Sequence, residues 1–379
     1  MRKINYLILP VLFFGFIYFM FLNQYFKWKV YKNKSENRSL AKFPEFNINK
    51  LDKFPGEFDA YLNDNFTYRG LFLGAYHEAK FLMGVTPNIQ DVIVGSNGNY
   101  FLAYPDQKIY SGEYFFDKKK LLLLEAEWRK KQRYLDSKDI PFYWLIAPNK
   151  HHVYPENLPM GIYEKGKNRS IVLKAHFDKA FPLTMVYPLN EMLACKDKQY
   201  AYYKQDNHWA QKGAFIAYQE VMKLMHRRDP SVRYLSEKEI QWKSYNRTNG
   251  NLLNFLGKEG ELSEMAYVAD FANTSAKEAP LYHFKVTEGF PYPWEYERHY
   301  INPGALNAKR VLIIRDSFGE NMIPFFNETF SETLYIFDAW KYAINKQIVE
   351  RYKPDLIIFL TLETNVGNIL EYEQVFEKE

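Results

Sequence analysis

Three short runs near the end of the chain are almost wholly apolar: VLIIR (311–315), TLYIFDA (333–339) and DLIIFLTL (355–362). Helical stretches, Glu320–Phe330 and Trp340–Arg351, separate them. A strand that is apolar along its whole length is buried on both faces, and strands that alternate with helices run parallel, because each helix carries the chain back to the starting edge. The pattern therefore predicts an α/β protein with a mostly parallel sheet and helices on its faces. IPFYWLIAP (140–148) has the same buried-strand character and stops at Pro148, and Thr184–Leu189 and Gln199–Tyr203 are further strand candidates. Phe116–Lys138 and Ala210–Arg227 read as helices. VIVGSNGNYFLAY, from Val92, alternates about the turn Gly95–Gly98 and predicts a hairpin.

The other end of the chain is different in kind. Tyr6–Phe21 reads YLILPVLFFGFIYFMF, and no charge occurs from Asn5 to Phe26, which predicts a membrane-spanning helix. The bulky, basic NQYFKWKVYKNK that follows lacks the small residues of a signal cleavage site, so the segment is expected to stay as an anchor. Arg2 and Lys3 before it and Lys27, Lys29, Lys32 and Lys34 after it leave its orientation open. Tyr31–Lys53 is polar and irregular, and Leu51–Met83 is helix-rich. The expected organisation is an anchor (1–30), a linker and helical collar (31–90) and a catalytic domain (91–379).

Composition removes several classes of function. With 47% apolar and 25% charged residues in 379, the chain is globular. A net charge of +5 is too small and too dispersed to favour nucleic acid. The single cysteine, Cys195, allows neither an internal disulfide nor a cysteine metal site, and His151-His152 is the only adjacent histidine pair, so no metal is expected. Aromatic residues make up 18%, more than an average core needs, which points to rings lining a groove.

In parallel sheets the reactive crevice lies beyond the carboxyl ends of the strands. Arg315-Asp316-Ser317-Phe318-Gly319 falls there, between a strand and a helix, where a serine is held clear of the sheet. Asp206-Asn207-His208-Trp209 follows a strand-like run and precedes a helix. Histidine is the usual base for a serine, and a carboxylate two residues away can fix its tautomer. Each motif alone reads equally well as a helix N-cap, by Asp316 or Ser317 in one case and by Asp206 or Asn207 in the other. Their shared position after apolar strands favours a Ser317–His208–Asp206 triad. Asn149 and Lys150, in the loop after IPFYWLI, are candidates to contact an oxyanion or substrate, and Trp209, Arg315 and Glu363 are candidates to contact substrate. The alternative for the loop is a proline-punctuated turn with solvated polar residues. FPYPWEYERHY (290–300) can either stack sugar rings or pack as a loop.

Several blocks resemble the alginate O-acetyltransferases of bacterial exopolysaccharide machinery, an SGNH-hydrolase-like family. They are ENRSLAKFPEF (36–46) with DNFTYR (64–69), DVIVGSNGNYFL (91–102), APNKHHVYPENLP (147–159), YYKQDNHWAQKGAFIAY (202–218) and RDSFG (315–319). The resemblance covers roughly residues 36–365. It implies a flavodoxin-like three-layer α/β/α fold, with Ser317 as nucleophile, His208 as general base and acid, and Asp206 as its orienting carboxylate. It further implies an inner-membrane anchor with the catalytic body on the periplasmic or extracellular side, a polysaccharide acceptor, and an acetyl donor supplied by a multi-pass membrane acyltransferase. Asn99 stands where the family usually has tryptophan, and Arg315 where a glycine often precedes the Asp-Ser pair. With so few residues after Glu363, the carbohydrate-binding module that some relatives append is not expected. The expected activity is O-acetyl transfer, with a polysaccharide O-acetyl esterase and a non-catalytic scaffold of a polymer-export complex as alternatives.

Overall fold

The structure is a computed structural model that describes residues 2–26, 41–46, 52–66, 68, 72, 92–181, 183–196, 200–256, 258–272, 274–286, 290–338 and 344–370. Contacts divide the chain into two compact units, Met1–Ile89 with Leu253–Leu262, and Gln90–Leu252 with Ser263–Glu379.

In the first unit a helix runs over Arg2–Phe26, and its apolar side chains from Ile8 to Phe19 are exposed. Among the described residues no helix is long and apolar enough to cross a membrane, so the expected span is not borne out. A second helix, Phe54–Asn65, begins with Pro55 in its first turn, where a missing N–H costs nothing. Its Phe58 and Tyr61 rings pack on Phe43, and Asp64 accepts from the Ala41 N–H at 2.8 Å. Much of the Leu51–Met83 stretch read as helical, and most of ENRSLAKFPEF, lie outside the described residues.

The second unit opens with the expected hairpin, β1 (Val92–Val94) and β2 (Tyr100–Leu102), paired antiparallel with Val92 opposite Leu102. Asn97 and Gly98 at its tip have φ of 55° and 73°, the left-handed pair that matches the twist of a tight hairpin. The remaining strands are β3 (Phe142–Ala147), β4 (Met185–Val186), β5 (Gln241–Arg247), β6 (Glu264–Asp270), β7 (Lys277–Glu278), β8 (Glu297–Ile301), β9 (Asn307–Arg315), β10 (Phe330–Ile336) and β11 (Leu356–Leu362). Strands β5 and β6 form a separate antiparallel pair, and seven strands make one sheet in the order β4-β3-β11-β9-β10-β8-β7. The pairings from β4 to β10 are parallel, while β8 and β7 add antiparallel, so the sheet is mixed. Sequence reading missed β8 because ERHYI carries charge on an edge region and has no apolar run.

Strand alternation divides the core into two layers. Tyr143, Leu145 and Ala147 of β3 and Ile358, Leu360 and Leu362 of β11 face Ala214, Phe215 and Tyr218 of helix Gln211–Arg228. Their odd-even partners Phe142, Trp144, Ile146, Ile357 and Phe359 face the other way. There they meet Leu124 and Trp128 of helix Lys118–Asp136, Leu173 and Phe177 of helix Arg169–Ala180, and Ile348 and Val349 of helix Lys346–Tyr352. Each fully buried leucine or isoleucine contributes about 1.5–3 kcal/mol. This is the expected three-layer α/β/α arrangement. Part of the helix expected over 340–351 lies outside the described residues.

One strand expectation needs correction. Of the strand expected over Gln199–Tyr203, the described residues 200–203 form none, because the chain turns back on itself. Ala210 N–H donates to the Ala201 carbonyl at 2.8 Å, and Tyr202 makes a single bridge with Trp209. Residues 201–210 are thus a closed loop that holds Asp206 and His208 at its tip. A Cβ at Gly213 would lie 2.1 Å from the Ala201 carbonyl oxygen, so glycine is what lets helix Gln211–Arg228 sit against the root of that loop.

Candidate active site

Strands β3, β11 and β9 are adjacent and parallel, with Ala147 level with Leu362 and Leu360 level with Arg315. The segments leaving their carboxyl ends therefore emerge on one rim: Asn149 after β3, Glu363 and Thr364 after β11, and Ser317 after β9. The turn at Ser317 is held by Asp316. Its Oδ1 accepts from the Phe318 N–H at 2.9 Å, and its Oδ2 accepts from the Leu362 N–H at 2.6 Å and Asn365 Nδ2 at 3.2 Å. Asp316 is both the cap of the two-turn 3₁₀ helix Ser317–Met322 and the clamp joining β9 to β11. Burial raises its pKa, and the bonds from Leu362, Phe318 and Asn365 oppose that shift.

The residue just after the cap is left free for other work. Ser317 Oγ lies 2.8 Å from His208 Nε2, and His208 Nδ1 lies 2.7 Å from Asp206 Oδ1. The serine and the histidine are both partly exposed, while Asp206 is buried. Asp206 Oδ1 also accepts the His208 backbone N–H at 3.0 Å. Its Oδ2 accepts from Arg247 Nη2 at 2.5 Å and from the Asn251 N–H at 3.2 Å. Burial pushes this carboxyl upward, but the charge and hydrogen bonds of His208 and the Arg247 guanidinium outweigh it and hold its pKa well below the usual carboxylate range. A hydroxyl, an imidazole and a fixed negative charge are thus in line over the sheet rim, the geometry by which a base activates a serine.

The other residues singled out from the sequence have different environments. Trp209 is fully buried, and its Nε1 donates to the Phe318 carbonyl at 2.8 Å while Asn321 Nδ2 donates to the Trp209 carbonyl at 2.7 Å. It ties the histidine loop to the serine turn from below and contacts no open space. Arg315 is also buried. Its Nη1 donates to the Asp316 carbonyl at 3.1 Å, Nη2 pairs with Glu320 at 3.3 Å, and its guanidinium lies 4.5 Å over the Phe337 ring. Glu363 is wholly buried and accepts from the Asn149 N–H at 3.0 Å and the Tyr187 hydroxyl at 2.9 Å. Arg315 at the end of β9 and Glu363 after β11 stand on the rim and Trp209 ends the His208 loop, but all three side chains turn inward, so the expectation of substrate contact is corrected to a supporting role.

Lys150 is corrected in the same way. Its ammonium donates to the carbonyls of Tyr100, Tyr203, Lys204 and Asp206 at 2.7, 2.7, 2.8 and 3.3 Å. Burial pulls its pKa down to about 7, against the attraction of Glu264 and Asp206. It staples the β1–β2 hairpin to the loop that carries Asp206 and His208. Lys150→Met keeps the stem and strands the carbonyls. The expected cost is about 3 kcal/mol of stability in urea unfolding, with a fall of roughly tenfold in kcat as the loop loosens. Unchanged unfolding would contradict the staple.

Asn149 keeps an unused donor, as buried Arg315 does at Nε. It is buried, its Oδ1 lies 3.0 Å from Thr364 Oγ1, and its Nδ2 has no hydrogen-bond partner. A buried, unpaired amide N–H on the same sheet rim as Ser317 is a candidate oxyanion donor. The FPYPWEYERHY stretch mostly packs: Tyr296 is buried and the Phe290 and Tyr292 rings lie on Phe337, whereas Trp294 is 74% exposed. Arg247, Asp106, Thr364 and Asn365 were not singled out from the sequence. They sit in polar segments whose spacing shows no period, and only the fold brings them to the rim. Among the described residues no cluster of metal-ligating side chains occurs.

Residues 112–281 match the family model of the SGNH hydrolase-like domain of the acetyltransferase AlgX. That segment holds Asn149, Lys150, Asp206, His208 and Trp209, and Ser317 lies beyond it. No curated protein matches the chain in sequence. Among solved structures, Bacillus cereus PatB1 aligns with a TM-score of 0.50 at 17% identity, over 66% of this chain and 91% of that one. PatB1 carrying a sulfonyl adduct gives 0.50 at 16% identity, over 69% and 93%. The O-acetyltransferase domain of Pseudomonas putida AlgJ gives 0.47 at 13%, over 75% and 95%. At these identities the PatB1 likeness establishes the fold.

Proposed function

We propose that this chain, alginate O-acetyltransferase-like by its AlgX-type SGNH hydrolase-like domain, moves an acetyl group through Ser317 onto a hydroxyl of a cell-surface or secreted polysaccharide. The observation that carries the reading is the continuous line from Ser317 through His208 to Asp206, at 2.8 and 2.7 Å, with serine and histidine open to solvent. His208 Nε2 takes the Ser317 proton as Oγ forms a bond to the acetyl carbon, and the imidazolium returns that proton to the leaving oxygen of the donor. A sugar hydroxyl then gives its proton to His208, its oxygen bonds to the acetyl carbon, and the Oγ–carbon bond breaks with the proton returning to Ser317. The developing oxyanion rests on the Ser317 N–H and Asn149 Nδ2, each worth about 3–4 kcal/mol when well placed.

The exposed apolar side chains of helix Arg2–Phe26 support attachment of the chain to a membrane; that this is the inner membrane, with the catalytic unit on its periplasmic or extracellular side, rests on the family resemblance alone. A multi-pass membrane acyltransferase would supply the acetyl group in that setting.

Incubating the protein with a chromogenic acetyl ester, with and without oligosaccharide, tests the activity. Acetylated sugar and an acetyl mass increment on the Ser317 peptide are expected. Free acetate alone in the presence of acceptor would make the protein an esterase, and no ester turnover at all would remove both readings.

A further inference from the structure

Beside the Asn149 amide lies a buried carboxyl that this mechanism leaves unused. Asp106 sits in the turn Ala103–Gln107 after β2 and is 3% exposed, with Oδ1 2.5 Å from Thr364 Oγ1. The same threonine oxygen is 3.0 Å from Asn149 Oδ1. A threonine hydroxyl has one proton to donate, whereas an ionised carboxylate and an amide oxygen are both acceptors. Thr364 therefore cannot satisfy both neighbours while Asp106 is charged. If Asp106 holds a proton, the chain closes: Asp106 donates to Thr364, Thr364 donates to Asn149 Oδ1, and Asn149 Nδ2 is turned to the side where the protein offers it nothing. When Asp106 ionises it takes the threonine proton, and the amide loses the one bond that fixes which way it faces.

We propose that protonated Asp106 is a positioning residue for acyl transfer, acting through Thr364 to hold the Asn149 N–H toward the oxyanion. The inference rests on the reading of Asn149 as an oxyanion donor. Thr364 is itself fixed, since Arg169 Nη2 donates to the Glu363 and Thr364 carbonyls at 2.7 and 2.6 Å. Burial raises the Asp106 pKa to about 7. The Thr364 bond lowers it, Glu363 after β11 raises it, and Arg169 and His208 lower it. These are the charged groups that face it. The protonated, active arrangement is thus populated below neutrality and lost as pH rises through that value.

The test is the pH profile of kcat for acetyl-ester turnover by the full chain and by D106N, T364V and N149A. The wild type is expected to fall about tenfold on the alkaline side. D106N, whose amide always donates to Thr364, is expected to stay within about threefold of the wild-type maximum and to lose the alkaline fall. T364V should be about tenfold slow at every pH, with KM changed less than twofold. An unchanged alkaline limb in D106N, or D106N as slow as T364V throughout, overturns the proposal. N149A with normal kcat would instead remove the oxyanion reading beneath it. Infrared difference spectra of wild type against D106N give a readout independent of turnover. A protonated-carboxyl band at about pH 6 that vanishes by about pH 9 is expected, and its absence at the lower pH contradicts the relay.

Discussion

Ser317→Ala is expected to lower kcat for acetyl-ester turnover by about ten-thousand-fold or more, leave the fold intact and abolish acetylation of the protein. The magnitude is that of losing the nucleophile from a serine triad, where the remaining groups still bind substrate and stabilise some oxyanion. The fold should survive because Ser317 Oγ bonds to His208 and the turn is held elsewhere, by Asp316 on Phe318, Leu362 and Asn365. Removing one partly exposed hydroxyl costs about 1 kcal/mol or less. Steady-state kinetics, thermal unfolding and intact mass of the donor-treated protein check the three parts. Turnover retained by the alanine variant would move the nucleophile away from Ser317 and revive the scaffold reading.

The second large effect concerns a residue that never touches substrate. Asp206→Asn is expected to reduce kcat by roughly a thousand- to ten-thousand-fold with little change in KM. Donor counting gives the reason. Around the native carboxylate every neighbour is a donor: the His208 N–H and Nδ1 on one oxygen, Arg247 Nη2 and the Asn251 N–H on the other. An asparagine has one oxygen and one NH₂, so whichever way it turns it presents hydrogens to donors. With its oxygen toward His208, the NH₂ faces Arg247 and Asn251, and the guanidinium loses the nearer of its two buried counter-charges and keeps only Glu264 at 3.5 Å. With the NH₂ toward His208, Nδ1 must become the acceptor and the ring proton moves to Nε2, where it faces Ser317 as a donor rather than a base. NMR of the His208 ring nitrogens reports the tautomer directly. The native tautomer with full activity in the variant would contradict this role for Asp206.

How much of this was readable in the amino-acid order depends on range. Buried strands and their intervening helices were legible because side-chain periods of 2 and 3.6 are local, and each strand from β9 to β11 contains a short apolar run: VLII, LYI and LIIFL. The Ser317 position followed from the rule that chemistry gathers beyond the carboxyl ends of parallel strands, whereas His208 was reached by the same rule from a strand that the structure replaces with a folded-back loop. The strand expected at Gln199–Tyr203 failed because alternation does not reveal that a segment folds back on itself at Trp209. Charged β8 went unseen for the complementary reason: its neighbour β10, rather than its own composition, makes it a strand.

Side-chain direction separates the two kinds of knowledge most clearly. Lys150, Arg315 and Glu363 stand at the correct rim, yet each is buried on partners that include distant ones, such as the Tyr203 carbonyl for Lys150 and Tyr187 for Glu363. Sequence by itself determined the α/β layering and the two motifs, since these depend on neighbours within a few residues; the folded-back loop at Trp209 brings the second motif to the rim. Only the tertiary structure decided that Arg247 and Asn251 complete the Asp206 site, that Lys150 is a staple and that Thr364 joins Asp106 to Asn149. The reason is physical: a buried polar group takes its role from the donors and acceptors that surround it, and those are brought together by long-range packing.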